Sequence, residues 1–294
     1  MHKGGDILLA GLVGRGIALS RTPAMHMAEG EAQGLHAAYR LLDADLLDRP
    51  LPEILDAAEM MGFNGLNVTY PFKIDVLPLL DELSVNASAV GAVNTVAFRN
   101  GRRFGHNTDL WGFAEGFRRG LPEAARDHVL LLGAGGAGVA VAHALAGLGV
   151  AQLSIFDTDP KRAGALAEQV SAGQAGCDAV AVTDVAALVR AARPDGVVNA
   201  TPMGMAKLPG TALDTDLLNP TMWVADIVYF PLETELLRTA RAKGCQVLPG
   251  SGMAVFQAVR AFELFTGRKA DPTRMKATFD AFDPPRDPAQ DTTI

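Results

Sequence analysis

Four apolar residues, Val129-Leu130-Leu131-Leu132, run directly into Gly133-Ala134-Gly135-Gly136-Ala137-Gly138, and an Ala/Val/Leu-rich segment continues to about Leu148. Strand, glycine turn and helix in that order make the first unit of a doubly wound fold, so this stretch restricts the architecture of everything around it. Gly133, Gly135 and Gly138 have the spacing that lets a backbone approach a pyrophosphate. Gly136 and Ala137 open the helix, where free N–H groups face an anion. The stretch predicts a dinucleotide-binding turn; the plainer alternative is a glycine turn that serves only close packing.

The next apolar run, 152–156, ends at Asp157, at about the 20-residue interval beyond the glycines where an acidic side chain reads ribose hydroxyls. A carboxylate there favours NAD, since the 2′-phosphate of NADP would meet Asp157 and Asp159 at close range. Arg162 can supply a compensating cation or lie along the adenine. Both aspartates can equally do no more than start the following helix. NAD is the expected cofactor and NADP the lesser alternative.

Elsewhere strand-like runs alternate with helix-like segments, the pattern of parallel sheets with crossover helices, so the chain reads as α/β with two domains. Strands are expected at 7–13, 39–42, 65–68, 92–99, 102–106, 129–132, 152–156, 196–199, 223–228 and 246–248. Helices are expected at 23–32, 52–61 and 72–83, the first two opened by Pro23 and Pro52, which a first helical turn tolerates. Helical spacing at 253–266 suggests a segment that packs back on the first domain. Residues 1–113, completed by 250–283, would form an N-terminal α/β substrate domain, and 114–249 a Rossmann domain. The Pro-, Asp- and Thr-rich end, 284–294, reads as a loose tail.

With 294 residues, 49% of them apolar, the chain is long enough for two ordinary cores. Its net charge of -7 disfavours nucleic acid or an anionic membrane as a partner, because both reward a basic face. No run reaches membrane-spanning length, and the apolar run from Ile7 is too short for a signal peptide. Two distant cysteines, Cys177 and Cys245, suggest reduced thiols and a cytoplasmic protein. Six histidines without paired spacing give no support to a metal. The expected partner is a small-molecule substrate, with the chain a monomer or homodimer.

Just past the run 65–68 lies Asn67-Val68-Thr69-Tyr70-Pro71-Phe72-Lys73, and downstream stands Asn107-Thr108-Asp109. Oxidising an alcohol takes a hydride from carbon and a proton from oxygen, and Lys73 and Asp109 are side chains able to exchange that proton. The plain reading of the second cluster is a helix cap feeding the segment from Leu110. Between the two, Asn100-Gly101 predicts a two-residue type I′ hairpin, in which cross-strand numbers sum to 201 and Asn94 falls opposite Asn107.

Taken together, Ser20-Arg21-Thr22-Pro23-Ala24-Met25-His26, the stretch ending at Lys73, Gly91-Ala92-Val93-Asn94-Thr95, the cluster ending at Asp109, the glycine turn, Asn199-Ala200-Thr201-Pro202-Met203-Gly204-Met205 and Asp226-Ile227-Val228-Tyr229 before Gln257 resemble the shikimate dehydrogenase family. The resemblance extends from Ser20 to about Gln257. It implies a catalytic pair at Lys73 and Asp109, and a substrate carboxylate held by Ser20 and Thr22 with Tyr229 nearby. It implies ring hydroxyls held by Thr69, Lys73, Asn94, Asp109 and Gln257, and a nicotinamide end lined by Thr201, Met205 and Gly252. The family's biosynthetic members mostly carry Asn-Arg-Thr where this chain has Asp157-Thr158-Asp159. Thr22 replaces a second serine, and Leu110 replaces a glycine. These departures resemble the NAD-dependent quinate/shikimate dehydrogenases of catabolism. The expected activity is NAD-dependent oxidation of the 3-hydroxyl of shikimate or quinate; the alternatives are an NADP-dependent biosynthetic enzyme and a non-catalytic dinucleotide sensor.

Overall fold

Short branched or apolar runs separated by turn residues become the strands of two six-stranded sheets in the computed structural model, which describes residues 7–173 and 176–282. The expected tail at 284–294 lies outside the described residues. Among the described residues, one compact unit takes 7–82, 93–105 and 258–282, and the other Leu83–Ala92 and 106–257.

The first sheet contains β1 (Ile7–Gly14), β2 (His36–Asp43), β3 (Gly65–Val68), β4 (Glu82–Leu83), β5 (Thr95–Arg99) and β6 (Arg102–His106), in the order β2-β1-β3-β5-β6-β4. It is mixed rather than parallel throughout. β1 runs parallel to β2 and β3, but β5 returns antiparallel to β3 with Asn67 opposite Thr95. Asn100 and Gly101 both take positive φ, 52° and 70°, as the expected hairpin requires, and β5 and β6 flank them symmetrically.

The helices of the first half are α1 (Thr22–Ala32), α2 (Ala44–Leu47), α3 (Leu51–Met60) and α4 (Val85–Val90). The helix expected over 72–83 does not form. Residues 71–76 make turns, Leu77–Leu79 is a single 3₁₀ turn, and β4 follows. Pro78 explains this: it has no N–H to donate, and its ring disfavours helical backbone at Leu77.

The second sheet is parallel throughout. It holds β7 (His128–Leu132), β8 (Gln152–Phe156), β9 (Asp178–Ala181), β10 (Gly196–Asn199), β11 (Trp223–Asp226) and β12 (Gln246–Pro249), in the order β12-β11-β10-β7-β8-β9. This is the doubly wound order, whose direction reverses between β7 and β10. Ligands of such sheets bind at the carboxyl ends of the strands at that reversal. The helices are α5 (Thr108–Gly120), α6 (Gly136–Gly147), α7 (Pro160–Gly173), α8 (Val185–Ala192), α9 (Glu235–Ala242), α10 (Ser251–Thr266) and α11 (Pro272–Asp280).

Leu130, Leu131 and Leu132 are wholly buried because β7 is central and covered on both faces. Trp223 seals the far end of this core: Phe117 meets its ring edge-on at 5.0 Å, and its indole N–H donates to Ala125 O at 2.8 Å. Cys177 and Cys245 are free thiols, both buried. No helix among the described residues is long and apolar enough to cross a membrane.

Candidate active site

In the first unit, three predicted segments converge at the carboxyl edge of β1 and β3 because main-chain hydrogen bonds tie them there. Thr69 N–H donates to Val13 O at 3.0 Å, and Arg15 N–H donates to Tyr70 O at 3.0 Å. Val68 N–H donates to Asn94 O at 2.8 Å, and Val93 N–H donates to Lys73 O at 2.8 Å. Thr69, Lys73 and Asn94 are thus brought together by backbone geometry. The Tyr70–Pro71 peptide bond within this turn is cis.

The loop after β1 carries Ser20 and Thr22 to the same edge. Asp43, at the end of β2, accepts from Ile17 N–H at 3.3 Å, and Ser20 Oγ accepts from Thr22 N–H at 3.3 Å. Between the two hydroxyl residues, the buried Arg21 points the other way. Its guanidinium donates to Phe279 O at 3.2 Å and lies over the Phe279 ring at 4.7 Å. α11 therefore anchors the segment that the resemblance assigns to the substrate carboxylate.

In the second unit, Asn107 caps α5 by accepting from Leu110 N–H at 3.1 Å, and it donates to Ala92 O at 3.0 Å. Asp109 sits in the first turn of α5 and is buried. One turn on, an added Cβ at Gly112 would lie 2.8 Å from Gln257 N, so α5 and α10 approach at backbone distance and hold Asp109 and Gln257 on neighbouring helices. Gly252 faces Gly116 across the same contact.

The glycine turn sits at the end of β7, beside the reversal of strand order. An added Cβ at Gly138 would lie 2.0 Å from Gly133 O, which makes this glycine a packing requirement between α6 and β7. Gly133 has a φ of +100°, which a side chain rarely adopts. Around Gly135 and Gly136, by contrast, an added Cβ would meet nothing within 4 Å. Open space and the first N–H groups of α6 are what a pyrophosphate needs, so the residues fit a dinucleotide.

Asp157 ends β8 and clamps this turn: its Oδ2 accepts from Ala134 N–H at 2.7 Å, and its Oδ1 accepts from Asp159 N–H at 2.8 Å. Partial burial works against the charge. The two N–H groups, the Arg162 charge and the Thr158 hydroxyl outweigh it, and the pKa lies below the ordinary aspartate value. Arg162 lies 3.6 Å from Asp159 Oδ2 and is largely exposed.

Thr201 and Met205 follow β10. Thr201 donates its hydroxyl to Asn199 Oδ1 at 2.7 Å, while Met205 is exposed. Tyr229, just beyond β11, is also exposed. Residues given no role from sequence hold these loops. Asn199 and Asp226 end β10 and β11 in register, and Asn199 Nδ2 donates to Asp226 Oδ1 at 2.9 Å and to Met203 O at 3.0 Å. Asp226 also accepts from Val228 N–H at 3.0 Å and from the Thr234 hydroxyl at 2.7 Å. Burial raises the Asp226 pKa to about 6, against the pull of these three donors. Two polar residues closing adjacent, otherwise apolar strands are the signal that could have found them.

Residues 12–96 match the model of the shikimate dehydrogenase substrate binding domain, and residues 250–278 that of the shikimate 5′-dehydrogenase C-terminal domain. Residues 110–228 match the ThiF family model. A quinate/shikimate dehydrogenase (NAD(+)) from Corynebacterium efficiens is 54% identical over 93% of this chain and 98% of its own length. The chain belongs to the shikimate dehydrogenase family. Within that family, a shikimate dehydrogenase (NADP(+)) from Streptomyces avermitilis is 51% identical over 92% of this chain and 94% of its own length. Among solved structures, quinate dehydrogenase from Corynebacterium glutamicum in complex with NAD superimposes with a TM-score of 0.89 at 50% identity, covering 94% of this chain and 99% of that one. Family members of both cofactor types thus lie at similar identity, and the cofactor residues of the chain itself must discriminate.

Proposed function

We propose that this shikimate dehydrogenase family member catalyses the NAD-dependent, reversible oxidation of the 3-hydroxyl of shikimate or quinate to the 3-keto acid. The observation that carries the cofactor choice is the clamped Asp157 carboxylate. It stands at the end of β8 with its pKa lowered, so it is ionised wherever an enzyme of this kind works. A ribose bearing free hydroxyls can donate to such a carboxylate; a 2′-phosphate meets like charge. Arg162, whose charge acts on Asp157, is itself engaged with Asp159.

Gly135, Gly136 and Ala137 would hold the pyrophosphate, Asp157 the adenosine ribose, and Thr201, Met205 and Gly252 the nicotinamide end. Bound NAD supplies the hydride acceptor. Lys73 takes the proton of the reacting hydroxyl, and Asp109 orients the ring. Ser20 and Thr22 hold the ring carboxylate with Tyr229, while Thr69, Asn94 and Gln257 hold the remaining hydroxyls. Thr69, Lys73 and Asn94 are supported in these roles by their convergence at one sheet edge. The test is the initial rate of NAD reduction with shikimate and with quinate for the wild type and Lys73→Ala. The variant should lose roughly 10²–10⁴ in turnover while its Kd for NAD stays within about twofold. Near-normal turnover would remove Lys73 from the mechanism.

A further inference from the structure

Behind Asn94 lies a chain of buried polar side chains, all within the first unit, that has no part in the reaction as described. Tyr39 on β2, Asn67 on β3 and Thr95 on β5 are each at most 7% exposed, and Asn94 itself is 3% exposed. The Tyr39 hydroxyl lies 2.8 Å from Asn67 Oδ1. Asn67 Nδ2 lies 3.0 Å from Thr95 Oγ1 and 3.4 Å from the Asn94 main-chain carbonyl. Thr95 Oγ1 lies 3.2 Å from Asn94 Oδ1.

The directions of the bonds made by Asn67 follow from one group. A main-chain carbonyl can only accept, so the Asn67 atom facing the Asn94 carbonyl is its NH₂. Asn67 Oδ1 then faces Tyr39, whose hydroxyl must donate. Thr95 Oγ1 accepts from Asn67 Nδ2 at 3.0 Å and donates to Asn94 Oδ1 at 3.2 Å. The Asn94 amide is consequently held with its oxygen toward Thr95 and its NH₂ end directed the opposite way.

We propose that Tyr39, Asn67 and Thr95 are positioning residues that fix the polarity of the Asn94 amide, so that it presents N–H donors to a ring oxygen of the substrate. This rests on the reading of Asn94 as a substrate ligand. Breaking the chain at Thr95 removes the donor that holds Asn94 Oδ1 on its side of the amide. Tyr39 is the outermost member, on β2, two strands from β3 and three from β5, and its ring is packed by His26 at 4.9 Å between centroids.

The experiment is steady-state kinetics in both directions for Tyr39→Phe, Thr95→Val, Thr95→Ser, Asn94→Ala and the Tyr39→Phe/Asn94→Ala double variant, with a Kd for NAD measured on each. Asn94→Ala should raise KM for the ring acid. Tyr39→Phe and Thr95→Val should each raise it by about five- to tenfold, the loss of one net hydrogen bond. Kd for NAD should stay within about twofold, and Thr95→Ser, which restores the hydroxyl, should behave as wild type. On the Asn94→Ala background, Tyr39→Phe should add less than about twofold, because residues acting through one another are not additive. An unchanged KM in Tyr39→Phe, or effects that multiply in the double variant, would overturn the proposal. An unchanged KM in Asn94→Ala would refute the reading of Asn94 itself, and the positioning role with it. The Thr95 pair decides the matter alone should Tyr39→Phe not fold.

Discussion

The Ala134 main-chain N–H donates to Asp157 Oδ2 at 2.7 Å, which fastens the glycine turn after β7 to the carboxylate that ends β8. One side chain thereby shapes the pyrophosphate loop and sets the charge met by the adenosine ribose. Replacing it should affect both. Asp157→Asn should lower kcat/KM for NAD and raise kcat/KM for NADP, shifting the ratio by about tenfold or more, the scale of one close charge contact at a partly exposed site. Initial rates with each cofactor read this directly, and an unchanged ratio would take the discrimination away from Asp157.

Gly138 is fixed by contact rather than by conformation. Gly138→Ala would place a methyl group 2.0 Å from Gly133 O, between two backbone segments that cannot yield separately. The expected cost is about 1–3 kcal/mol of stability, together with weakened NAD binding. Denaturant unfolding and NAD titration of the variant measure the two effects. Gly136→Ala makes the contrast: an added Cβ there meets nothing within 4 Å in the protein, so stability should hold while cofactor affinity falls.

His26, wholly buried and with no hydrogen-bond partner for either ring nitrogen among the described residues, is pushed by burial down to a pKa of about 3 from 6.5. The unfolded chain therefore binds a proton that the folded chain refuses. Its contribution is present above pH 6.5 and is lost as pH falls toward 3, by up to about 5 kcal/mol. His26→Phe should flatten that acid decline in equilibrium unfolding measured between pH 7 and pH 4. A decline of unchanged steepness would contradict the burial account.

Asp226 works in the opposite sense. Burial raises its pKa from 3.8 to about 6, so protonation stabilises the fold: the contribution is present below pH 3.8 and is lost as pH rises through about 6. Asp226→Asn can still accept from Asn199 and Val228 through its oxygen and can donate to Thr234. It should remove this pH dependence and be more stable at pH 8 by up to about 3 kcal/mol. Unfolding of the variant across pH 4–8 checks the sign as well as the size.

Strands that are central and apolar were legible in the sequence because burial on both faces leaves continuous runs, as at 129–132 and 196–199. The hairpin was legible for a different reason, since Asn100-Gly101 has almost no other comfortable use. The helix over 72–83 was misread because apolar spacing there mimics a helical stripe, while Pro78 decides the backbone. β9 carries only Asp178-Ala179-Val180-Ala181 at a sheet edge, too short and too weakly apolar to announce itself.

The glycine turn and the residues of the family motifs were equally legible. What sequence did not reveal is the polar scaffolding behind them. Asn199, Asp226 and Thr234 meet only because β10 and β11 lie in parallel register, and Tyr39, Asn67 and Thr95 meet only across four neighbouring strands, β2-β1-β3-β5, of a mixed sheet. Neither relation has a local pattern, because the partners are set by strand order rather than by spacing.

The account stands most directly on one matrix of kcat/KM values: shikimate and quinate, each with NAD and with NADP, on the wild-type protein. It predicts turnover of at least one of the two ring acids with NAD, at a kcat/KM roughly tenfold or more above that with NADP. A preference for NADP would contradict the role given to Asp157, and failure to oxidise either acid with either cofactor would contradict the function itself.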